Sequence, residues 1–333
     1  MKIVNVLILF ILVSCSSKIE LVEVSGNTMG TYYKVKTYTD ESPENVKKEV
    51  DKLLKLFNDI FSTYIPTSEL SLINNSEFKR FELSKPLKRV FIISQDIFRK
   101  SGGYFDITVG PLVNAWGFGP NGKQKKPSKA QLQELMDSIG FHNIELKDKI
   151  LRFSKENTYI DMSAIAKGFA VDEITKFLEF NGHQNMLVEI GGEVRTTGTK
   201  LDGSSWRLGI EGPGDSLGAK ISKVIPLNSK SLATSGSYRN FVKYGEEVFN
   251  HTIDPKTGYP VKHQTISVSV ISDYCADADA WATALMSMGA KKGLDLANKQ
   301  NLAVYFQVLE KNSIKVLKSR EFVKYMNSNK GKL

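Results

Sequence analysis

Apolar residues recur at helical spacing through Val46, Val50, Leu53, Leu54, Phe57, Ile60 and Phe61. Ser42-Pro43 stands ahead of them as N-cap and first-turn proline, so the pattern predicts a long amphipathic helix. A second helix is expected from about Leu87 to Lys100, stopped by Gly102-Gly103. A third opens at Ser128, with Gln131 completing a capping box, and ends near Gly140. A fourth runs from Ser163 to Phe180 and ends on Asn181-Gly182. Strand-like alternation marks Leu21–Val24 and Thr31–Tyr38, with Gly26 and Gly30 between them. Leu151–Phe153 and Thr158–Ile160 read as a hairpin. Met186–Ile190, Trp206–Glu211, Val224–Leu227, Glu247–Thr252, Thr265–Ile271 and Leu302–Val308 read as further strands. Strands crowd the second half, with one apolar helix after Cys275 inserted late. That order predicts an α+β fold rather than a regular βαβ alternation. The chain has no internal repeat and no low-complexity segment.

The N-terminus departs from this pattern. Lys2 is followed by an apolar run from Ile3 to Val13, too short to span a bilayer, and then by Ser14 and Cys15. Residues 1–14 read as a signal peptide. Leu12-Val13-Ser14-Cys15 looks like a lipobox, in which Cys15 is lipidated, and residues 15–20 form the tether. The expectation is an exported protein on the periplasmic side, lipid-anchored to a bacterial membrane, inner or outer left open. Cys275 is then the one remaining cysteine, so the fold holds without an internal disulfide. The formal net charge is +9, but the basic residues are dispersed apart from Lys123, Lys125 and Lys126. No arginine-rich stripe or nucleic-acid motif accompanies them, which argues against a nucleic-acid partner.

The chemistry-bearing segments are short. Asp277 and Asp279 stand at the mouth of the apolar helix, and Thr283 follows Asp279 by four. Residues four apart share a helix face. A carboxylate and a hydroxyl on one rigid face suit Mg²⁺ with open positions for phosphate; a helix capped by acidic residues gives the same pattern. In Ile160-Asp161-Met-Ser-Ala164-Ile-Ala-Lys167-Gly168, small residues surround a lysine that can meet a phosphate, while Asp161 alone could be a cap. Ile190-Gly191-Gly192-Glu193 lacks the dinucleotide-binding spacing and reads as a tight turn. Ala233-Thr-Ser235-Gly236-Ser-Tyr238-Arg239 reads as a turn-prone polar stretch after a strand. His251, at a strand end before the Asp254-Pro255…Gly258 turn, is either a general base or a half-buried structural histidine. Gly102 to Gly119 mixes glycines with Tyr104, Phe105, Trp116 and Phe118 around Asp106, a wall for a flat heterocycle or a buried aromatic loop.

Taken in order, Gly26-Asn-Thr-Met29-Gly30-Thr, Ser62-Thr-Tyr64, the stretch from Gly103 to Gly119, Ile160 to Gly168, Ser235-Gly236, His251-Thr-Ile-Asp-Pro255 and Ala278-Asp279-Ala-Trp-Ala-Thr283 resemble the ApbE family, the FAD:protein FMN transferases. The resemblance implies one large α+β domain over residues 21–333. It also implies Mg²⁺-dependent transfer of FMN from FAD to a Thr or Ser hydroxyl of a target protein, releasing AMP. The metal would be held by Asp279, Thr283 and the Ala164 carbonyl. FAD, the substrate, would contact Met29, Tyr64, Tyr104, Phe105, Asp106, Asp161, Lys167 and Ile253, and His251 would deprotonate the acceptor. The target would be a membrane-associated redox subunit with a short Thr/Ser-containing motif. Some members place an acidic residue just before the metal-binding threonine; Ala282 stands there in this chain, which argues against a second carboxylate ligand. An FAD pyrophosphatase yielding FMN and AMP, and a non-catalytic flavin-binding lipoprotein, stay open as alternatives.

Overall fold

A computed structural model describes residues 18–77, 80–120, 122, 126–212, 221–237, 241–311 and 313–332. Residues 1–17, with the expected signal peptide and Cys15, and also Lys123, Lys125, Tyr238 and Arg239, lie outside the described residues. Strands β1 (Glu20–Thr28) and β2 (Thr31–Thr39) form an antiparallel hairpin closed by Met29-Gly30. Gly26 lies within β1, because the Cβ it lacks would sit 2.7 Å from the Tyr33 ring across the hairpin. Helix α1 (Pro43–Phe61) is capped by Ser42, which accepts from the Asn45 N–H at 3.3 Å, and it buries the predicted apolar face. Helix α2 (Glu69–Asn74) and strand β3 (Arg80–Glu82) precede α3 (Lys85–Ser101), which ends on left-handed Gly102.

A 3₁₀ turn at Ile107–Val109 leads into α4 (Gly110–Ala115), and α5 (Lys129–Met136) carries both capping-box bonds. Strands β4 (Ile144–Lys147) and β5 (Ile150–Phe153) pair with each other and with β3. The predicted strand at Thr158–Ile160 is absent. The Ile160 N–H and C=O instead bond the Asn74 side chain at 2.8 Å each, so this backbone is satisfied without a strand partner.

Helix α6 (Ala166–Phe180) is followed by β6 (Met186–Ile190), β7 (Glu193–Thr197), β8 (Trp206–Glu211), β9 (Ile221–Leu227) and β10 (Ser231–Gly236). Then come β11 (Phe241–Tyr244), β12 (Glu247–Asn250), β13 (Thr265–Ser272), α7 (Cys275–Met288), α8 (Ala290–Lys299), β14 (Ala303–Glu310), β15 (Ser313–Lys318) and α9 (Arg320–Ser328). One antiparallel sheet of eight strands runs β1-β2-β6-β7-β10-β13-β14-β15. The polar stretch read as a turn after Ala233 is instead the centre of this sheet, paired to β7 and β13. Helices α6 and α7 pack on each other and on the central strands. The architecture is the expected α+β. Helix α7 also meets α3, and Ala276, Ala278, Ala280, Ala282 and Ala284 are all buried. Small side chains let three layers close around one helix.

Among the described residues no helix is long and apolar enough to cross a membrane.

Candidate active site

The site grows from the contact between α6 and α7. A Cβ on Gly168 would lie 2.4 Å from the Cys275 carbonyl oxygen, so only glycine lets the two helix starts touch. The contact brings the Gly168 N–H to Asp279, whose Oδ2 accepts it at 3.1 Å. In a regular continuation that N–H would bond the carbonyl of Ala164, four residues back. With the donor turned to Asp279, no described residue donates to the Ala164 carbonyl.

Helix α7 begins at Cys275, so Asp279 sits in its second turn and not at its mouth. Two first-turn N–H groups, those of Cys275 and Ala276, are buried and lack an acceptor within the helix, and Asp172 of α6 accepts both at 2.9 Å. The acidic cap expected from the helix's own residues is thus supplied from outside. Asp161 is not an N-cap either: its Oδ1 accepts from the Ser163 N–H at 2.8 Å, closing a turn ahead of α6. Asp279 then shares a stripe with Thr283 and Ser287, at four-residue steps. Each bonds a different segment. Thr283 meets Ser235 of β10 at 3.1 Å, and Ser287 reaches the Ile253 carbonyl at 3.5 Å.

Lys167 and Glu193 complete this half. Glu193 follows the Gly191-Gly192 turn between β6 and β7, and it pairs with Lys167 at 3.3 Å. Its Oε2 is buried with no hydrogen-bond partner among the described residues, an arrangement that costs about 1–3 kcal/mol when nothing else satisfies it. Burial raises Glu193, helped by the Asp279 charge and opposed by its ion pair with Lys167. Burial raises Asp279 as well, against Lys167 and the Gly168 N–H. Burial alone would lower Lys167, but the two carboxylates win and hold its ammonium above the ordinary lysine range. Two buried carboxylates share one ammonium, so the site lacks positive charge. Among the described residues no three His, Cys, Asp or Glu converge. A cation here would rest on one carboxylate, one hydroxyl and one carbonyl, a hard-oxygen set that fits Mg²⁺ and leaves positions for phosphate.

The aromatic half adjoins it through backbone. The Asp161 N–H donates to the Ile107 carbonyl at 2.7 Å. Tyr64, 65% exposed, donates to the Phe118 carbonyl at 3.1 Å. Desolvation of its covered part, and then the Asp161 charge, raise the Tyr64 phenol. The His251 ring packs edge-on to Phe118, centroids 6.5 Å apart. Trp116 donates to the Gly258 carbonyl at 2.8 Å, and Lys256 stands 5.7 Å over the Tyr104 ring. The Asp-Pro…Gly turn is thereby locked to the aromatic loop.

Two residues of that loop serve the fold. Phe105 is 2% exposed and packs in the main core, so its ring cannot stack on a ligand. Asp106 accepts from the Thr108 N–H at 2.9 Å and hydroxyl at 2.6 Å, and burial pushes it up to about 6 against those bonds. Ile253 is buried as well, leaving its backbone as the reachable part. Met29 occupies the β1–β2 turn at φ 47°, a left-handed position where glycine or asparagine is usual. That tip adjoins the turn carrying Glu193, since the Gly191 N–H donates to the Tyr32 carbonyl at 3.0 Å.

Sequence reasoning missed Glu193, Lys256 and Ser287 as members of the site. Ser287 was legible as the next step of the Asp279–Thr283 stripe. Glu193 gave only a weak signal, a carboxylate among buried strand positions.

A family model described as the ApbE family matches residues 29–306. A FAD:protein FMN transferase of Haemophilus influenzae is 37% identical over 324 residues, 94% of this chain and 94% of its own. One of Vibrio cholerae is 34% identical, spanning 96% of this chain and 97% of its own. The solved flavin transferase ApbE from Vibrio cholerae superposes with a TM-score of 0.84 at 34% identity, over 92% of this chain and 99% of that one. The apo flavinyl transferase ApbE of Pseudomonas stutzeri gives 0.85 at 30% identity, over 92% and 97%.

Proposed function

The chain belongs to the ApbE family, and from that premise we propose that it transfers the FMN half of FAD to a Thr or Ser hydroxyl of a target protein, with Mg²⁺ and release of AMP. The observation that carries the metal reading is the Gly168 N–H turning to Asp279, which leaves the Ala164 carbonyl open. Asp279, Thr283 and that carbonyl would hold the ion, which supplies Lewis-acid polarisation of the diphosphate. The chain's own residues then have separate tasks. Lys167 adds positive charge beside the diphosphate. Tyr104 and Tyr64 line the wall for the flavin ring, and the Asp161 charge acts on Tyr64. His251 takes the proton of the acceptor hydroxyl as its oxygen bonds the FMN phosphorus. The P–O bond to the AMP phosphate breaks, and AMP leaves with the electron pair. Phosphoryl transfer depends mainly on positioning and charge neutralisation, so the base is the lesser contribution.

On sequence grounds we also propose that Cys15 carries the lipid anchor and that the domain works on the periplasmic side of a membrane. The first described strand begins at Glu20, so a lipid on Cys15 would keep the catalytic domain close to the bilayer.

The test is a mass-shift assay on a Thr-containing acceptor protein with FAD and Mg²⁺. An acceptor heavier by FMN less one water, with the adduct lost in chelator and in Asp279→Ala, is expected. His251→Ala should retain slow transfer, reduced by about 10²–10⁴-fold. Free FMN with an unmodified acceptor would favour hydrolysis, and FAD bound without AMP release would reduce the protein to a flavin carrier.

A further inference from the structure

Lys167 has two buried carboxylates within reach of its charge and pairs directly with one. The ion pair at 3.3 Å goes to Glu193, whereas Asp279 acts on the ammonium through space and gives Oδ2 to the Gly168 N–H. Glu193 is the more deeply buried partner, its side chain 6% exposed against 25% for Lys167, and its Oε2 has no hydrogen bond among the described residues. Two residues along β7, on the same face, Arg195 donates to Asp172 of α6 at 2.6 Å. Strand β7 therefore grips α6 by two ion pairs of opposite sense. The Asp172 pair supports the cap of α7. The Glu193 pair caps nothing.

We infer that Glu193 is a positioning residue for the cation site: it draws the Lys167 ammonium away from Asp279, so that Asp279 stays open to a divalent cation and the ammonium is held for the diphosphate. This rests on the metal reading above. Without the Glu193 charge, a buried ammonium would keep a single carboxylate to pair with. The flexible lysine stem allows it to turn to Asp279, where it would compete with the cation.

The experiment is a titration of the purified protein, without FAD, with Mn²⁺ followed by electron paramagnetic resonance. Glu193→Gln should weaken Mn²⁺ binding by about tenfold or more, the size of effect that outer partners of metal ligands have. The decisive comparison is with Lys167→Met. If Lys167 is the competitor, Glu193→Gln in that background changes Mn²⁺ affinity little. A loss that persists there would reduce Glu193 to a distant negative charge and overturn the inference, as would equal affinity in wild type and Glu193→Gln. Asp279→Asn separates the two levels. Its loss of Mn²⁺ binding supports the cation reading, so an unchanged Glu193→Gln would then sink this inference alone. Mn²⁺ retained in Asp279→Asn, or never bound by the wild type, would overturn both. If circular dichroism shows that Glu193→Gln does not fold, Lys167→Met is still informative. It should bind Mn²⁺ at least as tightly as the wild type, and weaker binding would overturn the inference.

Discussion

Asp277 and Asp279 look equivalent in the sequence, but two steps along a helix point them to nearly opposite faces. Asp279 turns inward, where its Oδ2 accepts from the Gly168 N–H. Asp277 turns to the acidic surroundings of α3. Burial, then Asp172, then Asp96 and Asp273 push it up to about 6, with Lys100 opposing. A carboxyl raised in the folded state contributes most below its unfolded value of 3.8, and that contribution is lost as pH rises through about 6. Asp277→Asn should therefore stabilise the protein at about pH 7.5, on the order of 1–2 kcal/mol after allowance for solvent screening. It should do nothing near pH 3.5. Urea denaturation at both pH values measures this, and an equal gain at both would refute it.

The helix pair α6–α7 is the element on which the site depends. Gly168 is its contact point, and the nearest atoms to an added Cβ are backbone, the Cys275 carbonyl and the Ala276 Cα at 2.9 Å. Backbone cannot swing aside as a side chain tip can. Gly168→Ala should cost about 1–3 kcal/mol of stability and also weaken Mn²⁺ binding, because the Gly168–Asp279 bond is pulled apart. An unchanged urea midpoint would contradict this account. Most individual elements were legible. The caps at Ser42 and Ser128, the stop at Gly102 and the long apolar face of α1 all follow from local rules. β10 was not legible. Its polar side chains line the site beside α7, so a central strand carried the alternation of a surface loop.

At the scale of the whole molecule, hydrogen bonds and an ion pair tie β7, β10, α6 and α7 together around Asp279, and the Asp161 N–H ties the start of α6 to the aromatic loop. A ligand that joins them stabilises every element it touches. Mg²⁺ with FAD should raise the thermal midpoint, by an amount equivalent to about 2.7 kcal/mol at a hundredfold excess over the dissociation constant. Asp279→Ala should abolish the part due to Mg²⁺; the same shift in the variant would place the ion elsewhere.

What depends on neighbours along the chain can be read from the order of residues alone. Helix caps, glycine stops, the four-residue step from Asp279 to Thr283 and the ordered motifs of the family are all local or linear. Which groups share a charge depends on how the chain packs. Glu193, hidden behind a Gly-Gly turn, became the partner of Lys167, and Asp172, in mid-helix, became the cap of another helix. Phe105, placed by its motif beside a ligand, went to the core. The reason is physical: burial and electrostatic pairing depend on distance in space, and the close approach at Gly168 sets that distance for segments more than a hundred residues apart.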